Sequence, residues 1–559
     1  MPSKKTIIVV GGAHGGPSAV ARARQANENA RIILIEQAPF VTWVQASVKY
    51  YLSRSDESIQ EALMEQERYF IKHYNVEVLT NTQALSLDLD AKVLVVQKNG
   101  RSSRMAFDSL VFAGGAISKE LNIAGLLGPR VTNFRNLNDV ALIKKALGEG
   151  AQKVLIVGCG FYGVEAALAL RKAGLEVIVI EKKKRIMPYF SMTFAEAILA
   201  KLREQDIIIK LGVEIKHAQA QGAGFLLKLS NEEELSADLV IGCIGIAPRT
   251  SLLAEAGAAL DPEGLIRVDD NMATTLPHVY ACGSAVSVPQ AVTNECIWIP
   301  QPAVILRTAH IAGLNAATDD QAHWDRLKPF CGTLITEVGD TLFARTGLQE
   351  HEARMLLGDA HVFSTTVFGS AAESWVYEQE MCVKLIVDKA NNRVVGGEVF
   401  GRQGVERRID LLSVAVLESW SPEQIIDLDM AYLANSGPAF DPLKDAASRA
   451  KFAIADNSAN MTVEQLILWL AHNRDFRLVD VGETPLLSSR AGATNLHMPL
   501  ESLRERLDEL TQIDTPIVLY SKSGHRSYLA QTALKQRGLN NVYHLDGGIS
   551  TWNLVCPKE

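Results

Sequence analysis

Thr6-Ile7-Ile8-Val9-Val10-Gly11-Gly12-Ala13-His14-Gly15-Gly16 joins an unbroken β-branched run to a cluster of glycines, and an alanine-rich stretch follows from Ser18. The run predicts a buried parallel strand, the glycines a tight turn and the alanine-rich stretch a helix. A second strand, Ile32 to Ile35, ends at Glu36. The same order recurs downstream. Val154 to Val157 leads into Gly158-Cys159-Gly160-Phe161-Tyr162-Gly163, a helix runs through Val164 to Lys172, and Val177 to Ile180 ends at Glu181. Each segment is a βαβ unit. A pyrophosphate can sit on a helix N-terminus only where the preceding turn is tight and no side chain covers its N–H groups. The acid closing the second strand can accept hydrogen bonds from a ribose diol. It lies 25 residues after Gly11 in one unit and 23 after Gly158 in the other, close to the dinucleotide fingerprint. Two bound dinucleotides are implied. Ala13 stands where the second glycine of the first unit is expected, a small residue that the turn tolerates. Glu181 favours a free 2′-hydroxyl and hence NADH, whereas Lys182-Lys183-Lys184 could accept a 2′-phosphate, so both coenzymes stay open.

The rest of the 559 residues leaves room for about four domains at roughly 150 residues each. With 47% apolar and 21% charged residues, the composition excludes collagenous, coiled-coil and disordered chains. A net charge of −8 argues against a nucleic-acid partner held by bulk positive charge. The seven scattered cysteines, none spaced C-x-x-C, indicate neither a disulfide framework nor a zinc site, and no metal is expected; a reducing cytoplasm is the natural setting. No apolar run reaches 18 residues, so no membrane span is expected. Asp238 to Gly245 and Val279 to Ala285 each read as a strand entering a glycine turn, and these could return the chain to the first nucleotide domain. From about Phe330 the texture becomes β-rich, with Cys382 to Val387 and Val394 to Phe400 joined across Asn391-Asn392 as a hairpin. Asp456 to Asn460 reads as a linker before a last unit of about 100 residues.

With these motifs placed, the sequence resembles the flavoprotein pyridine nucleotide-disulfide oxidoreductases, in particular coenzyme A disulfide reductases, NADH oxidases and persulfide reductases with a C-terminal rhodanese domain. The resemblance implies an α/β architecture of two Rossmann-type domains, the NAD(P)H domain inserted in the FAD domain, then an α+β dimerisation domain and a rhodanese-like α/β domain. The expected boundaries are 1–118 and 245–325 for FAD, 119–244 for NAD(P)H, 326–455 for dimerisation and 461–559 for the rhodanese-like unit. A homodimer is implied. The FAD site would comprise Gly11, Gly12, Ala13, Gly15, Gly16 and Glu36, with Ala84, Ala113, Gly114, Gly283 and Ser284. The NAD(P)H site would comprise Gly158, Gly160, Phe161, Tyr162, Gly163, Glu181 and Gly245.

The resemblance breaks where the family does its chemistry. The family's cysteine beside the flavin falls at Ala46, in Val41-Thr42-Trp43-Val44-Gln45-Ala46-Ser47-Val48-Lys49-Tyr50-Tyr51. A methyl group forms neither a thiolate nor a mixed disulfide. Trp43, Gln45, Ser47, Lys49 and Ser284 also depart from the family pattern, which fits a branch that abandoned thiol chemistry. The tyrosines that the family brings from the partner subunit are replaced around Phe368 and Ser436, while Arg22 still matches an arginine that meets coenzyme A phosphates. The last unit resembles a rhodanese through Leu478 to Val481 and Leu545-Asp546-Gly547-Gly548, but its active loop begins with Ser521 in place of cysteine, so sulfurtransfer is not expected; Arg526 could still bind an oxyanion, or the unit serves packing alone. Cys282 and Cys296 fall in segments expected near the flavin but read first as core residues.

The expected function is therefore hydride transfer from NAD(P)H to FAD and on to a small-molecule acceptor without a redox cysteine. The flavin-facing candidates are Trp43, Ala46 and Tyr51, and Trp43, Val44 and Ala46 make an apolar pocket suited to a planar acceptor. Three other readings stay open: a coenzyme A disulfide or persulfide reductase with an altered site and a thiol-derived acceptor, an NADH oxidase making peroxide, and a nucleotide-binding protein without catalysis.

Overall fold

The computed structural model describes residues 4–42, 47–52, 54, 56–373, 379–456, 460–486 and 495–556. The chain forms two compact units, Met1–Lys184 with Gln205–Gly332, and Arg185–Glu204 with Thr333–Glu559.

In the first unit, Thr6–Val10 is the centre of a five-stranded parallel sheet ordered Val279–Ala281, Ser109–Phe112, Thr6–Val10, Arg31–Ile35, Glu77–Leu79. Ile7, Ile8 and Val9 have no exposed surface, which is why the run shows no polar alternation: both faces of a parallel strand are covered. The following helix, Gly15–Ala26, starts three residues before Ser18 because Pro17 sits within its first turn, where its missing N–H costs nothing. It packs alongside Pro302–Ala317. The second βαβ unit builds a second parallel sheet, ordered Ile208–Leu211, Glu176–Glu181, Lys153–Val157, Leu239–Gly242, Val131–Asn133. A short antiparallel pair, Ala116–Ser118 with Ile246–Pro248, lies where the chain leaves the first sheet and where it comes back.

The two glycine-ending strands part company here. Val279–Ala281 returns to the first sheet, pairing Tyr280 with Val111, but Leu239–Gly242 stays in the second, pairing Leu155 with Val240. Two apolar strands that end in glycine are alike in sequence. The strand edge lying open beside each one decides which sheet it completes.

In the second unit a five-stranded antiparallel sheet runs Leu334–Val338, Thr341–Gly347, Arg393–Gly401, Glu380–Asp388, Val362–Ser370. Its hairpin turns at Asn391-Asn392, where Asn392 takes a φ of +47°. The C-terminal portion is a four-stranded parallel sheet, Asn495–His497, Arg477–Asp480, Ile517–Tyr520, Val542–His544. Asp546, just beyond the last of these strands, accepts hydrogen bonds from the Thr366 N–H at 2.8 Å and the Thr365 hydroxyl at 3.3 Å, tying this portion to the antiparallel sheet. Among the described residues, no helix is long and apolar enough to cross a membrane.

Candidate nucleotide sites

The two glycine turns share the same close backbone contacts. Gly11 and Gly158 take φ values of +109° and +101°. A Cβ at Gly11 would strike the Ala113 carbonyl, and one at Gly158 the Cys243 carbonyl, each at the end of the neighbouring strand. Gly16 and Gly163 bring the first helical turn down onto the carbonyls of Gly11 and Gly158, where a Cβ would overlap the oxygen. Gly160 differs: a Cβ there meets nothing within 4 Å. Packing within the protein therefore places no demand on that position, and this is why its counterpart, Ala13, fits without distortion.

Both acids at the strand ends turn back onto these loops. The Gly12 N–H donates to Glu36 Oε2 at 2.6 Å and the Ala38 N–H to Oε1 at 2.7 Å. In the second unit the Cys159 N–H donates to Glu181 Oε2 and the Lys183 N–H to Oε1, both at 2.9 Å. Each carboxylate oxygen keeps a further acceptor position for a ribose hydroxyl. Neither helix has a side-chain cap, at His14 or at Gly160, so the first-turn N–H groups face the turn ready for an anion. Burial lowers the His14 pKa. Acid, open N–H groups and small residues together fit a dinucleotide at each turn.

Around the first turn, the Ala113 N–H donates to the Val10 carbonyl at 2.8 Å and the Cys282 N–H to the Phe112 carbonyl at 3.0 Å, so Ala113 and Gly283 stand at the same end of the sheet as Gly11. The Gly283 N–H donates to Thr308 Oγ1 at 3.0 Å, and the carbonyl of the buried Ser284 accepts from Trp298 Nε1 at 3.1 Å. Gly114 lies against the Phe112 ring, where a Cβ would collide. Ala84 lies on Thr82–Asp88, two residues past Thr82, whose N–H donates to the Glu36 carbonyl at 2.9 Å. Around the second turn, Phe161 and Tyr162 open the helix Phe161–Lys172, and Gly245, with φ +109°, precedes the strand Ile246–Pro248. Arg22 donates to Gln25 on its own helix at 2.9 Å.

Of the flavin-facing candidates, Trp43 and Ala46 lie outside the described residues, as do Val44 and Gln45. Tyr51 ends the helix Val48–Tyr51, half-buried, and burial raises its pKa. The same short helix carries a contact that the sequence did not single out: Lys49 Nζ pairs with Glu165 Oε1 at 2.9 Å. Glu165 is buried on the helix that follows the second turn; burial raises its pKa and Lys49 opposes the rise. A lone acid among Val164, Ala166 and Ala167 was the available signal. The thiols nearest the turns are inert. Burial pushes Cys282 up to about 12, and burial with the Glu181 charge does the same to Cys159, so neither is a thiolate near neutral pH. Cys296 is exposed, on a two-residue strand paired with Val288–Pro289.

In the C-terminal portion, Ser521 is buried between the strand Ile517–Tyr520 and the helix His525–Gln536, and its Oγ accepts from the Ser527 N–H at 3.3 Å. The guanidinium of Arg526 is taken by Glu483 at 2.6 Å, with Glu501 at 3.5 Å.

The Glu181 geometry makes a prediction. Glu181→Ala is expected to weaken NADH binding by about tenfold to a hundredfold, since a hydrogen bond to a charged group contributes roughly 1.5–3 kcal/mol, and to shift preference toward NADPH by removing the charge that repels a 2′-phosphate beside Lys182 to Lys184. Parallel equilibrium titrations with both coenzymes check this, and an unchanged NADH affinity would remove Glu181 from the site.

Residues 5–296 match the family model of the pyridine nucleotide-disulphide oxidoreductases, residues 336–435 the dimerisation domain of the same family, and residues 463–554 the rhodanese-like domain. The chain is 25% identical over 461 residues to an NADH oxidase of Methanocaldococcus jannaschii, covering 79% of this chain and 98% of that one. It is also 25% identical to an NAD(P)H sulfur oxidoreductase (CoA-dependent) of Pyrococcus furiosus, covering 80% and 100%. Among solved structures, reduced CoADR-RHD of Bacillus anthracis superposes with a TM-score of 0.91 at 25% identity, covering 99% of each chain. An NAD-dependent persulfide reductase from A. fulgidus gives 0.87 at 28% identity, covering 98% and 100%. FAD and NAD(P)H are the cofactors of this group. With both cradles, the dimerisation sheet and the C-terminal parallel sheet in place, the chain belongs to the pyridine nucleotide-disulphide oxidoreductase family.

Proposed function

We propose that this protein is an NAD(P)H-dependent oxidoreductase that passes electrons to a small-molecule acceptor without a redox-active cysteine. The observation that carries the reading is Ala46 at the family's cysteine position, with no substitute thiolate at either turn: Cys282 and Cys159 are both pushed up to about 12. FAD, when bound, supplies the two-electron chemistry between coenzyme and acceptor. The chain's own residues bind and orient. The N–H groups after Gly11 and Gly158 solvate the two pyrophosphates, Glu36 and Glu181 hold the adenosine riboses, and Gly114 and Gly245 keep the backbone close. The apolar character of Trp43 and Ala46 in the sequence, at the stretch that resembles the family's flavin-side cysteine segment, suits a planar acceptor. Residues 336–435 support a homodimer. Ser521 makes the rhodanese-like unit a packing module in this reading, because an alcohol carries no persulfide sulfur.

The test is an anaerobic titration of the purified protein followed by visible spectroscopy. The oxidised flavin band is expected to bleach with one equivalent of reduced coenzyme, with no long-wavelength thiolate-to-flavin charge-transfer band. Appearance of that band would overturn the thiol-free reading. Similarity to an NADH oxidase makes dioxygen the acceptor to compare first, through the ratio of oxygen to NADH consumed.

A further inference from the structure

A cleft at the C-terminal edge of the second parallel sheet holds a guanidinium that nothing above uses. Arg135 lies two residues beyond the strand Val131–Asn133, and Tyr162, Gly242, Cys243 and Gly245 line the same cleft. Lys153–Val157 connects through its helix to one side of the sheet while Leu239–Gly242 lies on the other, so the cleft sits at the switch point, where open α/β sheets bind their ligands. The Arg135 backbone N–H is held by Asp139 at 2.9 Å, and its guanidinium carbon lies 5.8 Å from the centre of the Tyr162 ring. Nη1 is buried with no hydrogen-bond partner among the described residues. A buried, unpaired guanidinium donor is costly. Burial lowers the pKa of Arg135; Tyr162, which hydrogen-bonds the guanidinium, opposes this most, and the charge of Arg249 lowers it slightly further while Asp139 raises it. The Arg135 cation lines this cleft with Nη1 unpaired, and a donor so placed is complementary to an anion.

The position within the sheet says which anion. Glu181, the ribose acceptor, ends the strand on one side of Lys153–Val157, and Arg135 follows the strands on the other side. A dinucleotide whose adenosine ribose rests on Glu181 and whose pyrophosphate crosses Gly158 to Gly163 brings its nicotinamide half over this cleft. We propose that Arg135, set beside Tyr162, is the side-chain contact for the nicotinamide-side phosphate of the bound coenzyme. This rests on the reading of the second turn as the NAD(P)H site.

The test compares three probes by equilibrium binding to the flavin-loaded protein: NADH, ADP-ribose, which carries both phosphates, and AMP, which carries only the adenosine-side phosphate. Arg135→Met is expected to weaken NADH and ADP-ribose by tenfold to a hundredfold and to leave AMP within twofold, as the loss of one charge-assisted hydrogen bond requires. Equal affinity for ADP-ribose in variant and wild type overturns the proposal, and so does an equal loss for AMP, which would mark Arg135 as a prop for the turn. Should Arg135→Met hold less FAD than wild type, Arg135→Lys is read in its place; it keeps the charge but loses the fork, and is expected to weaken ADP-ribose about threefold with AMP unchanged. Wild-type protein that binds none of the three would refute the coenzyme site itself, a result distinct from failure of Arg135 alone.

Discussion

Gly11→Val is expected to yield protein without flavin, and Gly158→Val protein that keeps its flavin but has lost NADH binding. At both positions the backbone lies in the left-handed region, which a β-branched residue enters only at a cost of about 1–3 kcal/mol. The added side chain would also drive into a carbonyl, that of Ala113 in one unit and of Cys243 in the other, and overpacking of this kind adds about 1–3 kcal/mol. The turn can relieve the collision only by moving away from the neighbouring strand. That movement carries Gly12 away from Glu36 or Cys159 away from Glu181, so the ribose acceptor and the N–H groups no longer converge. Flavin absorbance per chain and an NADH titration read the two outcomes separately. Full flavin content in Gly11→Val would show that the first turn is not the FAD cradle, and loss of flavin in Gly158→Val would refute the division of labour between the turns.

Acid stability of the second unit is expected to hang on two residues near the end of Val542–His544. His544 has no exposed surface, and no side chain hydrogen-bonds its ring nitrogens among the described residues. Burial, then the nearby Arg449 guanidinium, lowers its pKa to about 3. The unfolded chain takes up this proton near pH 6.5 and the folded chain does not, so the stability present above pH 6.5 is lost as pH falls toward 3. At about 1.4 kcal/mol per pH unit the loss is of the order of 3–5 kcal/mol. Asp546 runs the other way. Burial raises its carboxyl to about 6, so the folded chain takes up its proton first, and stability rises by roughly 3 kcal/mol as pH falls from 6 to 3.8. In the wild type the two nearly cancel down to about pH 4. His544→Leu is therefore expected to be more stable at pH 4.5 than at pH 7. Asp546→Asn, which keeps an acceptor for the Thr366 N–H, is expected to lose stability steadily from pH 6.5 downward. Urea midpoints across this range, followed by the fluorescence of Trp469 and Trp552 packed on the Leu545 core, give the slopes. Slopes of the same sign in both variants would show that these two groups do not control the transition.

The contrast between the two sets of residues shows how much was legible in advance. Thr6–Val10 and Lys153–Val157 were readable because a strand buried on both faces must be apolar throughout, and the glycines and the closing acids were readable because a phosphate and a ribose each demand one kind of residue at a set distance along the chain. These are local constraints, and the amino-acid sequence alone determined both βαβ units, the two glycine turns and the closing acids Glu36 and Glu181, the hairpin at Asn391-Asn392 and the absence of cysteine at residues 46 and 521. The tertiary structure decided what depends on neighbours distant in sequence. It placed Leu239–Gly242 in the second sheet and Val279–Ala281 in the first, brought Lys49 to Glu165 across 116 residues, left Arg135 facing the cleft at Tyr162, and buried His544 and Asp546. Nothing in the local sequence distinguishes a histidine or an arginine on the surface from one deprived of water, because desolvation and pairing are set by the elements packed around a group and not by the residues beside it in the chain.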